Sequence, residues 1–229
     1  MRNTTIITAI TILALVAGCA PQWSSESFVF PDEISHLVVQ VSSGDVTLRA
    51  NTGGGAQVYV EVNCRTVVPD YRVYVEADTL HVVMETGKSG TNACAGLFDV
   101  AVPAHASVEV RTGMGNVTVD GITGDMDIIS YRGDVALDGT SGDLQITAVS
   151  GKVVGTGLGD NEIVVSIGAG ELDLEYSSAP TLVDAEIVMG NAALTIPHAP
   201  YRISAVARGG QVDIRGVEQV ASARSALWL

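Results

Sequence analysis

Residues 115–155 read GNVTVDGITGDMDIISYRGDVALDGTSGDLQITAVSGKVVG. A glycine, a polar residue and then alternating apolar positions recur at Gly115, Gly124, Gly133, Gly142 and Gly151, nine residues apart each time. Further copies begin at Gly170 (GELDL), Gly190 (GNAAL) and Gly210 (GQVDI). Taking alternate copies, the series 115, 133, 151, 170, 190, 210 advances by 18 to 20 residues. An interleaved series of apolar pairs keeps step with it: Met126/Ile128, Leu144/Ile146, Ile163/Val165, Val183/Ile187 and Ile203/Ala205. A fixed period shared by two series indicates a repeat architecture in which each unit buries its apolar side against the next.

The expected fold is therefore all-β, with an N-terminal β-module running into a two-strand-per-coil parallel β-solenoid that ends in a C-terminal cap. Alternation along each strand turns Val117/Val119, Val135/Leu137, Leu172/Leu174 and Leu194/Ile196 inward, and turns Asp134/Ala136/Asp138 and Glu171/Asp173/Glu175 to water. About six coils at roughly 4.8 Å each would make a stalk near 29 Å long. The rival architecture is an antiparallel sandwich whose nine-residue spacing is coincidental.

Outward from the repeats, residues 28–111 carry short valine-rich runs bounded by Gly, Asp, Asn or Pro, which read as strands of an antiparallel or mixed module. Tyr71 to Glu85 reads as a hairpin turning at Ala77-Asp78. The solenoid is expected over residues 112–216. Residues 217–229, with Val217, Val220, Leu227, Trp228 and Leu229, are apolar enough to cover its open end, or else to form a tail that docks on a partner.

Residues 1–18 read as an export signal, with Arg2 ahead of an apolar run from Ile6 to Val16. That run falls short of the roughly 20 apolar residues a spanning helix needs. Val16-Ala17-Gly18-Cys19 resembles the bacterial lipobox, in which the signal is cut before a cysteine that is then diacylated; an ordinary signal peptide ahead of a cysteine is the alternative. Residues 19–27 are then a lipidated polar tether. By the same resemblance, Ala20 after the cysteine favours the outer membrane, so a lipid-anchored envelope location is expected.

Removing residues 1–18 leaves 11 basic against 26 acidic side chains, a net charge of −15. That surface repels nucleic acid and excludes it as a partner. Cys64 and Cys94 remain after Cys19 is committed to lipid, and in an oxidising compartment they read as a disulfide, with two buried free thiols as the alternative.

The recurring steps Ser43-Gly44-Asp45-Val46, Thr123-Gly124-Asp125-Met126, Arg132-Gly133-Asp134-Val135 and Ser141-Gly142-Asp143-Leu144, together with Val102-Pro103, resemble a bacterial family of unknown function labelled putative adhesin. The resemblance covers roughly residues 35–216 and lapses at Lys152 and around Gly155 to Gly159. It implies no catalytic residues.

No motif in the chain reads as an active site, a cofactor loop or a metal cluster. Asp125, Asp134 and Asp143 lack the paired glycines of calcium-binding nonapeptide repeats and read as turn formers bonding the local backbone. Gly155 to Gly159 has no strand-then-helix context and reads as a corner insertion, not a phosphate loop. His36, His81, His105 and His198 are scattered, although a Ser-His-Asp set could still assemble in space. Glu171, Asp173 and Glu175 read as a solvated face, or else as a weak cation or glycan site. The expected function is a non-catalytic, adhesin-like binding or scaffold module with an envelope protein or glycan as partner. An envelope-stress sensor and a glycan-acting β-helix enzyme are the rivals.

Overall fold

The structure, a computed structural model, describes residues 22–65, 70–85, 94–159, 162–197 and 203–216. Cys19, the signal segment and the expected cap at 217–229 lie outside the described residues. Within them the fold is all-β, and its strands hydrogen-bond into one 17-stranded sheet.

In chain order the first eight strands are β1 (Gln22–Phe30), β2 (His36–Ser43), β3 (Asp45–Asn51), β4 (Ala56–Cys64), β5 (Tyr71–Glu76), β6 (Thr79–Met84), β7 (Cys94–Pro103) and β8 (Ser107–Met114). Next come β9 (Val117–Asp120), β10 (Met126–Arg132), β11 (Val135–Asp138), β12 (Leu144–Leu158) and β13 (Glu162–Tyr176). The last four are β14 (Leu182–Met189), β15 (Ala192–Thr195), β16 (Ile203–Gly209) and β17 (Val212–Arg215).

From β8 onward the chain alternates between two parallel ladders. In the first, Val108, Met126, Leu144, Ile163, Val183 and Ile203 stand side by side. In the second, Val117, Val135, Val153, Leu172, Ala192 and Val212 do the same. Both advance by 18 to 20 residues per layer. The inward side chains are short and branched, and Val117, Val135, Val153, Ile128 and Ile167 are fully buried. Stacking like upon like lets one layer's valines fill the gaps left by its neighbour, so a repeat of small apolar residues suffices for a continuous core.

The N-terminal strands belong to the same stack. β2 pairs in parallel with β8, and β3 with β9, so His36–Asn51 forms one further layer below the repeats. β6 and β7 add another, since they pair in parallel with β2 and β3. Antiparallel strands then close that end, with β5 on β6, β4 on β7 and β1 on β4. The boundary drawn at residues 111–112 therefore falls inside β8. Ala77 turns the β5–β6 hairpin in the left-handed region (φ 58°), where the sequence placed the turn, and β7 ends at the Val102-Pro103 step.

Three further expectations are corrected. Residues 22–27 are not tether: they are strand, paired with β4 from Gln22↔Cys64 to Phe30↔Ala56. Backbone pairing is indifferent to serine-rich side chains on an outer strand, so the polar composition misled. The inward partner of Val165 is Ala185, two residues before the Ile187 of the apolar pairs, and Ala192 fills the inward position beside Leu172. Alanines are too small to mark a core position by hydropathy. Gly155 to Gly159 is not a corner, because β12 runs on to Leu158 with a register shift between Gly155 and Leu158 against β13.

Candidate functional site

The two ladders meet at a corner built from glycine. A Cβ on Gly133 would stand 2.0 Å from the carbonyl oxygen of Gly115, and one on Gly151 2.0 Å from that of Gly133. The same contact links Gly115 to Gly44, Gly170 to Gly151, Gly190 to Gly170 and Gly210 to Gly190. No side chain fits at such an approach, so the period of the sequence is the period of this column.

The residue after each corner glycine supplies the second device. Asp45 Oδ1 accepts the amide of Asn116 at 2.7 Å, and Asn116 Oδ1 that of Asp134 at 2.9 Å. Asp134 Oδ1 in turn accepts that of Lys152 at 2.8 Å, and Asn191 Oδ1 the amide of Gln211 at 3.1 Å. At the opposite corner, Asp125 accepts from Asp143, and Asp143 from Glu162. These carboxylates were expected to bond their own turn; they bond the equivalent amide one layer on. Corner amides have left the ladder and need an acceptor, which a short Asp or Asn side chain supplies. Where Lys152 replaces the acceptor, the chain dispenses with the break, and β12 and β13 run straight through the corner.

Glu171, Asp173 and Glu175 line the outward face of β13, exposed as expected. Lys152, beside them on β12, holds its Nζ 3.9 Å from Glu171 Oε2 and 3.8 Å from Asp173 Oδ2. Ala193 and Thr195 flank the other side. Exposed pairs at such distances contribute about 0–1 kcal/mol. Their effect is to keep acids from standing side by side. Among the described residues no three His, Cys, Asp or Glu side chains converge to hold a metal ion.

Cys64 and Cys94 form the disulfide, their Cα atoms 4.1 Å apart and directly opposed in the β4–β7 pair. Nearby, Glu61 accepts from Trp23 Nε1 at 3.0 Å and from Tyr59 Oη at 3.0 Å. Both bonds hold its carboxyl below the usual range, and the carboxylate raises the Tyr59 phenol. Tyr176 is buried in the core, and burial pushes its phenol far up, as for a packing residue.

One constellation was legible only in space. His36, Asp78 and Ser107 meet where β2, β6 and β8 begin. His36 Nδ1 hydrogen-bonds Ser107 Oγ, and His36 Nε2 lies 3.9 Å from Asp78 Oδ2. The order resembles a hydrolase triad, but 3.9 Å is beyond hydrogen-bond reach and both the His36 and Asp78 side chains are more than half exposed. The Ser107 amide is spent on the Ser35 carbonyl. An open groove of about 630 Å³ passes this point, bordered by Asp125, Asp127, Asp143 and Glu162.

A family model described as Toastrack DUF4097 matches residues 30–215. No curated protein matches the chain. Among solved structures, it is similar to a putative cell adhesion protein from Clostridium sporogenes, with 12% identity over 87% of this chain and 100% of that one, and a TM-score of 0.49. It is similar also to a putative adhesin from Bacteroides fragilis, with 15% identity over 84% and 95% of the two chains and a TM-score of 0.48. A putative lipid binding protein from Parabacteroides distasonis aligns at 13% identity over 83% and 97%, with a TM-score of 0.28.

Proposed function

Because this chain belongs to the Toastrack DUF4097 family, we propose that it is a non-catalytic, lipid-anchored envelope protein that works as an adhesin-like binding or scaffold module. The reading includes acylation at Cys19, an outer-membrane address, and a two-strand-per-coil solenoid as the body. The ladder registers of 18 to 20 residues per layer support that last element.

The observation that carries the functional reading is the outer wall of the second ladder. Its outward positions on β11, β13 and β15 are Ala136, Asp138, Glu171, Asp173, Glu175, Ala193 and Thr195, mostly short or acidic side chains on a backbone fixed by the glycine column. A wall of this kind is stiff, flat and hydrated. It offers many weak polar contacts to a protein or glycan at little ordering cost, the arrangement expected of a preorganised binding surface. Glu171, Asp173 and Glu175 give it an acidic centre.

The test uses the full acylated protein displayed on vesicles and exposed to cell-wall and surface polysaccharides and to envelope proteins. Retention should fall severalfold for the pair Asp173→Lys and Glu175→Lys. Retention unchanged by those substitutions would remove this face from the function, and depolymerisation of a glycan would replace the reading with the enzymatic one.

A further inference from the structure

We infer that the glycine-corner edge of the molecule, with its stripe of exposed apolar side chains, lies against the lipid surface. Met114, Tyr131, Val149, Val188 and Met189 all stand on first-ladder segments just ahead of the glycine column, and are 46% to 60% exposed. Met114, Arg132, Ser150, Ala169 and Met189 share one lateral row, with Tyr131, Val149 and Val188 one position before it. Glycine beside them offers no side chain to cover them. Five of the ten large apolar side chains exposed among the described residues thus belong to this one edge, and Trp23 and Leu97 stand on strands at its near end.

The near end of this edge lies beside the start of the first strand. Ser43 pairs with Met114, and its hydroxyl donates to the Cys94 carbonyl at 3.0 Å. Cys94 is opposed by Cys64, and Cys64 by Gln22. Gln22 is three residues beyond Cys19. Three residues reach at most roughly 11 Å, so an acylated Cys19 holds the near end of this edge close to the headgroups. The inference rests on the proposed acylation; the apolar stripe is an independent observation that points to the same edge.

Composition fits the occupant. Tyr and Trp with Met and Val suit the boundary between headgroup and acyl chain, and Arg132 stands in the row where its cation can reach lipid phosphate. Asp45 and Asp134, just past the corner glycines, spend Oδ1 on the amides of Asn116 and Lys152, and Asp125, Asp143 and Glu162 sit at the opposite ends of the first-ladder strands.

Native methionines report the contact. Met114 and Met189 are more than half exposed, whereas Met84 and Met126 are buried and serve as internal controls. The acylated protein on vesicles of phosphatidylethanolamine and phosphatidylglycerol is treated with peroxide, and sulfoxide formation at each methionine is read by mass spectrometry. The reference is a chain starting at Ala20, without vesicles, which keeps every described strand. Met114 and Met189 should oxidise severalfold more slowly on the vesicle than in solution. With Cys19 acylated, equal rates in the two states overturn the orientation while leaving the anchor standing. An unmodified Cys19 in the exported protein overturns the anchor and the orientation together. Protection of both methionines in the vesicle-free chain that grows with protein concentration would mean that a second copy covers the stripe, which also overturns it.

Discussion

The carboxylate of Asp134 accepts the backbone amide of Lys152 at 2.8 Å, although the two residues are 18 apart in the chain and one layer apart in the stack. A corner amide would otherwise face water or nothing, and the bond is charge-assisted. The Asp/Asn-after-Gly pattern is thus a set of clips between layers. Asp134→Ala should lower stability by about 1–2 kcal/mol, and Asp134→Asn by a few tenths, since Asn116 and Asn191 play the same part natively. Denaturant unfolding of the three proteins measures both; an alanine as mild as the asparagine would contradict the clip.

Gly133→Ala should be far worse than Gly139→Ala. The first places a methyl group 2.0 Å from the Gly115 oxygen, and the second meets nothing within 4 Å. Both have positive φ, 140° and 58°. Gly139→Ala should therefore cost only the left-handed penalty of about 1–2 kcal/mol, while Gly133→Ala must force two layers apart. Comparable melting temperatures for the two variants would show that the column tolerates a side chain.

Leu137 is buried and its neighbour Ala136 faces water, so aspartate at the two positions should behave very differently. A buried, unpaired carboxylate costs several kcal/mol. An exposed one should stay within about 1 kcal/mol. Equal destabilisation would mean that the register is out by one residue.

The Cys64–Cys94 bond closes a 30-residue loop and should contribute about 3.5 kcal/mol in the chain-entropy view. Alkylation of the unreduced, denatured protein should label neither thiol, and reduction should lower the denaturation midpoint. Labelling of both without reductant would show two free thiols.

Ser107 should not react with a fluorophosphonate probe, because Asp78 is too distant to orient His36. Labelling that disappears in Ser107→Ala would make the Ser107, His36 and Asp78 set a working triad and overturn the non-catalytic reading.

Much of the body was legible in the residues because it repeats. Gly115, Gly133 and Gly151 mark a close approach that only glycine permits, and alternation at Val117/Val119 and Val135/Leu137 separates core from surface. Ala185 and Ala192 escaped because a methyl group carries little hydropathic signal, and Ser24, Ser25 and Ser27 concealed β1 because backbone pairing needs no particular side chain. The outward acids Glu171, Asp173 and Glu175 followed from the same alternation, whereas their partner Lys152 had to be placed laterally, through the period.

The sequence by itself determined the all-β class and the layer spacing, since each depends on local chemistry repeated along the chain, and it narrowed Cys64 and Cys94 to a disulfide or two free thiols. Tertiary structure decided what stands next to what across layers. It turned Asp134 from a turn former into a clip for Lys152, brought His36 to Ser107, and set Met114 in one row with Ser43 and Arg132. The reason is physical: lateral neighbours in a parallel ladder are selected by the registers of all intervening strands together, and no single segment of chain contains that information.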